Sequence, residues 1–324
     1  MRQNSSADET LAAIDLGTNN CRLLVARPTG AGFRVIDAYS RIVRLGEGLS
    51  RTGLLSDEAM ERTIAALRIC ARKMQQRRVT RARSVATEAC RRATNCEAFL
   101  QRVRAETGLE IEIISTEVEA ELAFRGCAPL LTSDRNRAIV FDIGGGSTEI
   151  GWLAVDAQGN LELIDCVSLP IGVVNLAERH DRNPVGTELY DALTGEIAAM
   201  LADFGARNAI AAAVDSGVVQ MLGTSGTVTT LTGIHLRLPR YDRSQVDGRY
   251  LEFEAIDAIN RELAALDWHG RAATPCVGPE RADLVVAGCI ILSAICRLWP
   301  VGRLRVADRG LREGILFELV GSLQ

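Results

Sequence analysis

Residues 140–150 read VFDIGGGSTEI, an apolar strand pattern that carries an acid and then three consecutive glycines. Glycine weakens a strand because it loses more backbone entropy on folding than other residues and packs no side chain. A bound phosphate explains the pattern, since successive amides in a tight glycine turn point inward and form an anion site. We therefore predict that Gly144, Gly145 and Gly146 bind phosphate and that Ser147 and Thr148 add hydroxyl donors. A plain glycine-rich turn is the alternative.

The same sequence pattern occurs earlier in the chain. LAAIDLGTNNCRLLVA (11–26) and AIVFDIGGGSTEIGWLAV (138–155) both run from an apolar strand through an aspartate to a glycine turn and a returning strand. The two aspartates, Asp15 and Asp142, are about one domain length apart, so the chain is predicted to consist of two related halves. By analogy with the second turn, Gly17, Thr18 and Asn19 are predicted to bind phosphate.

A third glycine loop lies in VQMLGTSGTVTTL (219–231), between a predicted strand and a predicted helix. Its candidate phosphate-binding residues are Gly223, Thr224, Ser225 and Gly226. Three loops of related design favour phosphate binding over three unrelated turns.

Acidic residues accompany two of these loops. An acid beside a phosphate repels it unless a cation lies between them, and Mg²⁺ binds one or two carboxylates together with phosphate oxygens and waters. Asp15, Asp142 and Glu149 are therefore predicted to hold Mg²⁺, with another divalent cation or an added K⁺ as alternatives. Each acid taken alone could be a cap or turn residue, but Asp142 lies in apolar sequence where an unpaired carboxylate is costly.

Composition excludes several classes of protein. The net charge of the 324-residue chain is -4, so no global basic field points to nucleic acid or to an anionic membrane. No apolar run reaches the roughly 20 residues that span a bilayer, and MRQNSSADET (1–10) has no signal-peptide core. We therefore expect a cytoplasmic protein with neither nucleic-acid nor membrane partners.

Other metal and nucleotide sites are not favoured. The single lysine, Lys73, does not follow a glycine-rich turn, which excludes a Walker A loop. His180, His235 and His269 lack the spacing of zinc ligands. The nine cysteines contain no CxxC pair and are predicted to be reduced core thiols.

Strand and helix patterns alternate along the chain, which predicts an α/β fold. A helix is expected from an N-cap at Ser56 to about Arg77. SVATEAC (84–90) is predicted to be a strand. A second helix is predicted to open with a capping box of Thr94 and Glu97 and to end near Gly108.

These motifs resemble those of known proteins. AIDLGTNN and VFDIGGGSTE, with the loop GTSGT, resemble the phosphate-binding motifs of the actin-like ATPase superfamily. A wider set is similar to the exopolyphosphatase and guanosine pentaphosphate phosphatase (Ppx/GppA) family, and the likeness runs in order from about residue 10 to 318. The set comprises AIDLGTNNCRLLVA, RLGEGL, IEIISTEVEAELAFRG, FDIGGGSTEI, GTSGTVTTL and DRGLREG.

The resemblance implies a catalytic glutamate. The family carries it in a segment of the form ISGxEEARL, which corresponds here to ISTEVEAEL and makes Glu119 the candidate. The chain departs from the family at Thr116, Val118 and Glu121, so Glu117 or Glu121 could be the active residue instead. On a helix, Glu117 and Glu121 share a face that Glu119 does not. A solvated acidic face is the remaining alternative.

The resemblance also implies an arginine that contacts phosphate. Arg91 in ATEACRRATN (86–95) is the candidate, and a register shift of one residue would make it Arg92. In the implied mechanism Glu119 orients or deprotonates the attacking water. Asp142 and Glu149 hold Mg²⁺, with Asp15 acting through water. Arg22 follows the first loop and is either part of the site or a surface residue.

The resemblance implies two ribonuclease H-like, actin-like domains with the site in the cleft between them. Their expected ranges are 1–130 and 131–308, and a C-terminal helix at about 309–324 is expected to pack on the first domain. The short two-domain members act more commonly on inorganic polyphosphate, which is therefore the first substrate hypothesis. Guanosine pentaphosphate is the second, and a non-catalytic sensor of either anion is the third. A homodimer is expected.

Overall fold

The computed structural model describes residues 9–30, 32–179 and 184–322, which form two compact units. Unit 1 contains the chain up to Gly126 and again from Leu311, and unit 2 comprises Cys127–Gly310. His180 and residues 1–8, both used in the sequence analysis, lie outside the described residues.

Unit 1 is built on a five-stranded mixed sheet. Its strands are β1 (Leu11–Leu16), β2 (Asn20–Thr29), β3 (Gly32–Ile42), β4 (Arg81–Ala86) and β5 (Glu112–Ile113), in the order β3-β2-β1-β4-β5. β1, β2 and β3 are antiparallel neighbours, whereas β4 runs parallel to β1 and to β5. The helices of this unit are α1 (Leu49–Thr52), α2 (Asp57–Gln76), α3 (Glu88–Arg92), α4 (Cys96–Thr107), α5 (Thr116–Cys127) and α15 (Leu311–Gly321).

The helix predicted from Ser56 is confirmed, and the Ser56 hydroxyl accepts a hydrogen bond from the Ala59 amide. The prediction of a capping box at Thr94 is wrong, because α4 begins at Cys96 and its N-cap is Asn95. The Asn95 side chain instead bonds both backbone groups of Leu55, at 2.9 Å each. Gly108 does end the helix, in the left-handed conformation that favours glycine.

The prediction of a strand through SVATEAC is wrong in its second half. β4 ends at Ala86, opposite Leu16 at the end of β1. The Thr87 amide still bonds the Leu16 carbonyl, and the next residues turn into α3 because no partner strand continues beyond that point. Residues 88–92 are consequently helical, which places side chains three positions apart on one face.

Unit 2 is built on a six-stranded sheet. Its strands are β6 (Arg137–Ile143), β7 (Thr148–Val155), β8 (Leu161–Leu169), β9 (Val219–Thr224), β10 (Tyr250–Glu252) and β11 (Arg303–Ala307), in the order β10-β11-β9-β6-β7-β8. The helices are α6 (Val173–Ala177), α7 (Thr187–Met200), α8 (Ala202–Arg207), α9 (Ile210–Asp215), α10 (Gly226–His235), α11 (Arg243–Val246), α12 (Phe253–Ala265), α13 (Trp268–Ala273) and α14 (Val285–Leu298). Residues 285–296 of α14 are all buried, so this helix forms the centre of the core.

The two units share one topology. In each, an antiparallel hairpin (β1–β2 or β6–β7) has a third antiparallel strand on one side and a parallel strand on the other. The order β3-β2-β1-β4-β5 thus corresponds to β8-β7-β6-β9-β11. The predicted α/β class is confirmed, and the sequence repeat corresponds to this repeated sheet.

No described helix is long and apolar enough to cross a membrane.

Helix α15 packs against the sheet of unit 1, chiefly on β1, and touches α5 at one point. The contact with α5 is so close that a Cβ added to Gly314 would lie 1.9 Å from the Leu122 carbonyl oxygen. Leu122, Leu311 and Ile315 are buried together there. This contact holds one point of α5, the helix that carries Glu119.

We expect Gly314→Ala to destabilise the protein. The added methyl group overpacks the α5–α15 contact, and overpacking costs about 1–3 kcal/mol. Gly195→Ala is the matched control, because Gly195 lies within α7 with nothing near its Cβ position. Alanine there is expected to stabilise the helix by about 0.5–1 kcal/mol. Urea unfolding midpoints measure both changes, and equal midpoints for the two variants would contradict the packing argument.

Candidate active site

The first glycine turn is held by its carbonyl groups. The Thr18 carbonyl accepts a hydrogen bond from the Gly46 amide and the Asn19 carbonyl accepts one from the Val43 amide, both at 2.9 Å. Within the described residues, the amides of Thr18 and Asn19 have no acceptor. A Cβ on Gly46 would lie 2.3 Å from Thr18 Cγ2, which explains why RLGEGL has a glycine at this point.

Two side-chain atoms of this turn are buried without a partner. Thr18 and Asn19 are 6% and 8% exposed, and Thr18 Oγ1 and Asn19 Oδ1 make no hydrogen bond to any described residue. An unsatisfied buried polar group costs about 1–3 kcal/mol, so a ligand that bonds these atoms is favoured. A phosphate group and its cation fit this need, since the hydroxyl can donate to a phosphate oxygen and the amide oxygen can accept.

The second glycine turn repeats this arrangement. The Gly144 amide donates to the Ser147 carbonyl at 2.9 Å, as the Gly17 amide does to the Asn20 carbonyl. The carbonyls of residues 144–146 accept hydrogen bonds from residues 173–175, at 3.0, 2.8 and 2.8 Å. The amides of residues 145–147, by contrast, have no acceptor in the described part of the chain.

Gly172 allows this turn to be supported so closely. A Cβ at Gly172 would lie 2.4 Å from the Gly145 carbonyl carbon and 2.5 Å from the Gly146 amide nitrogen. The carbonyls are therefore tied to the protein, and three successive amides are left to bind an anion.

Asp142 and Glu149 are directly opposite each other on β6 and β7. The equivalent pair in unit 1 is Asp15 and Arg22, an ion pair at 3.8 Å. Two acids in this position repel each other unless a cation compensates them. Glu149 is 2% exposed and accepts a hydrogen bond from the Ser168 hydroxyl at 3.0 Å.

The structure groups only some of the predicted metal residues. Asp142 and Glu149 belong to unit 2, and Asp15 belongs to unit 1. No group of three or more His, Cys, Asp or Glu residues suited to a metal occurs among residues 9–30, 32–179 and 184–322. Two carboxylates are nevertheless enough for Mg²⁺, which completes its shell with water and phosphate oxygens.

Asp15 is surrounded by charges within unit 1. Burial raises the pKa of Asp15, while Arg22 and Arg312 oppose the shift and Glu313 adds to it. Glu313, in the first turn of α15, is only 4% exposed. The DRGLREG motif thus brings two charged side chains, Arg312 and Glu313, towards the end of β1.

The third loop lies beside the second in unit 2. Thr224 at the end of β9 is paired in parallel register with Asp142 at the end of β6, so the loops that follow leave the same edge of the sheet. Ser225, with φ 130°, caps α10 by accepting a hydrogen bond from the Thr227 amide. A Cβ at Gly226 would lie 3.8 Å from the Arg281 guanidinium.

Packing in the core requires a glycine at position 223. It lies within β9, and a Cβ there would be 2.5 Å from the Phe141 ring. Its position at the start of the loop motif predicts a phosphate-binding residue instead. Its lack of a side chain is explained by the buried ring.

Arg91 and Glu119 form a partly buried ion pair in unit 1, with Nη1 and Oε2 2.8 Å apart. Arg91 also donates to the Ile114 carbonyl at 2.9 Å and, through Nη2, to Glu88 at 3.0 Å. The exposed side-chain fraction is 16% for Arg91 and 13% for each glutamate. Burial by itself would lower the pKa of Arg91, but the two carboxylates outweigh it and raise the pKa.

The three candidate glutamates of α5 differ in position. Glu117 and Glu121 are exposed, and Glu121 forms an ion pair with Arg125 on the same helix at 2.7 Å. Glu119 lies on the inner face against Arg91. Arg92 is 42% exposed and approaches Glu88 only at 3.9 Å.

Glu88 is a residue that the sequence analysis missed. The predicted strand 84–90 contains Glu88, and in an extended chain Glu88 and Arg91 point to opposite faces. In the short helix α3 the two are an i,i+3 pair. A helical pattern from Glu88 to Arg92, flanked by Thr87 as a candidate cap, was the signal that could have revealed it.

The chain is similar to known proteins over nearly its whole length. The sequence profile of the Ppx/GppA phosphatase family matches residues 24–323. The chain belongs to the Ppx/GppA phosphatase family. Exopolyphosphatase 2 of Mycobacterium tuberculosis is 31% identical over 331 aligned positions, covering 96% of this chain and 98% of the relative.

Solved structures show the same fold. The Ppx/GppA family member of Aquifex aeolicus is 30% identical, with a TM-score of 0.80 over 98% of this chain and 99% of that one. An exopolyphosphatase from Cytophaga hutchinsonii, at 23% identity, has a TM-score of 0.86 with coverages of 98% and 99%. The predicted actin-like fold class is thereby confirmed, and the chain is a phosphatase of a family that generally depends on divalent metal.

We expect Gly172→Ala to disturb the second glycine turn. The added methyl group must displace Gly145 and Gly146, and misaligned amides bind phosphate less well. The KM of this phosphatase is expected to rise about 10-fold. Gly186→Ala is the control, since nothing lies near its Cβ position. Phosphate-release kinetics measure both variants, and an unchanged KM for Gly172→Ala would contradict the role given to the turn.

We expect Glu88→Gln to impair turnover through Arg91. Losing the Glu88 charge removes one of the two carboxylates that hold the guanidinium, so Glu119 is held less firmly. If Glu119 acts in catalysis, as the sequence predicts, kcat should fall about 10-fold while KM stays within about twofold. Glu97→Gln, an exposed glutamate on α4, is the control. Unchanged kcat in Glu88→Gln would show that Arg91 needs only Glu119.

Proposed function

We propose that the protein is an exopolyphosphatase that hydrolyses the terminal phosphoanhydride of inorganic polyphosphate and releases orthophosphate. The observation that carries the proposal is the repeated turn, in which carbonyls are tied to the protein and amides of residues 18–19 and 145–147 have no described acceptor. Such amides suit phosphate oxygens. The related Exopolyphosphatase 2 supports polyphosphate as the substrate.

Glu119 is the proposed base. Its carboxylate is partly buried and held by Arg91, so it can orient a water molecule and accept its proton at an Oε atom. Glu117 and Glu121 are exposed and are not held in this way. The inner position on α5 therefore favours Glu119 despite the differences from the family motif.

Arg91 is proposed to hold Glu119 and to contact phosphate. Three of the five N–H groups of Arg91 donate hydrogen bonds, two to Glu88 and one to the Ile114 carbonyl. Nη1 also lies 2.8 Å from Glu119 Oε2 as an ion pair. These contacts leave one Nη2 hydrogen for a phosphate oxygen. A bidentate phosphate clamp would require Arg91 to release a carboxylate.

Asp142 and Glu149 are the proposed ligands of the cation, for which Mg²⁺ is the candidate. Their opposed carboxylates on adjacent strands fit a hard divalent cation. When bound, such a cation neutralises charge on the phosphoryl group. Thr148 keeps the end of β7 in place by donating to the Ile171 carbonyl at 2.7 Å.

The decisive test is phosphate release from long-chain polyphosphate with Mg²⁺ by the wild type and by Glu119→Gln. Loss of a general base lowers rates by about 10²–10⁴-fold, so we expect at least a 100-fold fall in kcat. Glu121→Gln and Glu117→Gln are matched controls on the same helix and are expected to remain within about twofold of the wild type.

The outcomes separate the hypotheses. Hydrolysis of polyphosphate that is lost only in Glu119→Gln supports the proposal. Preferred hydrolysis of guanosine pentaphosphate would make that nucleotide the substrate. Tight binding of either anion without hydrolysis would replace the enzyme mechanism with a sensor.

We expect Glu149→Gln to weaken cation binding. Removing one of two carboxylate ligands should raise the Mg²⁺ concentration for half-maximal activity by at least about 10-fold. Glu162→Gln, an exposed glutamate on β8, is the control and should leave that concentration unchanged. Mg²⁺ titration of phosphate release gives both values. Identical titrations for the two variants would remove Glu149 from the proposed cation site.

A further inference from the structure

Unit 2 contains an arginine-rich cavity of about 60 Å³ that the catalytic proposal does not use. The residues that matter here are Asp134, Arg135, Gln220, Tyr250, Arg303 and Arg305. We refer to this cavity as the arginine pocket. It lies where β9 and β11 begin, together with the segment that leads into β6.

The arginine pocket is separate from the glycine loops of unit 2. Val219 lines the pocket at the first residue of β9, whereas Thr224 begins the third loop at the last residue. Five steps along a strand span about 16 Å. The pocket therefore lies at the amino end of β9, and the third glycine loop lies at its carboxyl end.

The pocket carries an excess of positive charge. Three arginines face one acid, Asp134. None of the three forms an ion pair with any residue in the described ranges. Glu252 is opposite Arg303 in the β10–β11 register but does not line the pocket or pair with that arginine. An anion would supply the missing countercharge.

The pocket is also held in a fixed shape. Arg305 donates to the carbonyls of Leu130 and Gly248, at 2.6 and 3.4 Å. The guanidinium carbons of Arg303 and Arg305 lie 4.5 and 5.4 Å from the centre of the Tyr250 ring. These contacts hold two cations side by side before any ligand binds, which lowers the entropic cost of binding.

Gln220 fixes the opposite wall. Its side-chain amide donates to the carbonyls of Thr132 and Arg135, at 2.8 and 3.2 Å, and its oxygen accepts from the Thr132 amide at 3.0 Å. The backbone that carries Arg135 is thus tied to β9. These hydrogen bonds hold this side of the pocket in place without a ligand.

We propose that the arginine pocket binds a phosphate-chain anion at a second site, distinct from the site of hydrolysis. Guanidinium groups match the geometry of phosphate oxygens, and three of them suit a multiply charged chain better than a single carboxylate. The ring of Tyr250 already contacts two guanidiniums, so an inorganic chain fits better than a nucleobase. The volume exceeds that needed for several waters, so an oxyanion has room.

The test is protection of individual arginines from phenylglyoxal, followed by peptide mass spectrometry. Wild-type protein is treated in EDTA, to prevent hydrolysis, with or without sodium tripolyphosphate at constant ionic strength. We expect tripolyphosphate to slow modification of Arg303 and Arg135 at least fivefold. Arg249, an exposed neighbour outside the pocket, is the internal control. GTP in place of tripolyphosphate distinguishes a nucleotide from an inorganic chain as the source of the phosphates.

Equilibrium dialysis provides an independent measurement. Arg303→Gln should lose one bound tripolyphosphate per chain, whereas Arg249→Gln should retain it. The Arg303 side chain is exposed and makes no hydrogen bond to a described residue, so the variant is expected to fold. Equal protection of Arg303 and Arg249, or unchanged stoichiometry in Arg303→Gln, would overturn the proposal. Neither measurement depends on hydrolysis, so the result is independent of the proposed catalytic function.

Discussion

The hydrogen bonds that hold the carbonyls of two glycine turns are the constraint on which the site depends. Residues 43 and 46 hold the first turn, and residues 173–175 hold the second. A peptide group whose carbonyl is fixed also has its amide direction fixed, because the two are parts of one plane. The amides of residues 145–147 are thereby oriented before any ligand is present, which suits the proposed binding of an anion. This explains why glycines occur both in the turns and, at Gly46 and Gly172, in the segments that support them.

The duplicated hairpin has been adapted differently in the two units. The aspartate of unit 1 is opposite Arg22, and the aspartate of unit 2 is opposite Glu149. The first pair joins an acid to a base, and the second joins two acids. One register position thus distinguishes the two turns, and the pair of acids is the one proposed to hold a cation.

Helix packing brings distant segments of the chain together around Arg91 and Glu119 in unit 1. Glu119 lies on α5, which touches α15 where Gly314 meets Leu122. Glu88 and Arg91 come from the short helix after β4. The short sequence around each of these residues has no feature that indicates an ion pair. The Arg91–Glu119 ion pair exists because α3 and α5 meet where the parallel strands β4 and β5 end.

The sequence by itself determined the α/β class, the two hairpins and the glycine loops, because these features depend on local patterns of apolar residues and glycine. The tertiary structure distinguished Glu119 from Glu117 and Glu121, since burial against Arg91 depends on how α5 packs. It also revealed Glu88, because the end of β4 is set by the length of its partner β1. Pairings between residues far apart in the chain arise only when the sheet and its helices assemble, and no local pattern encodes them.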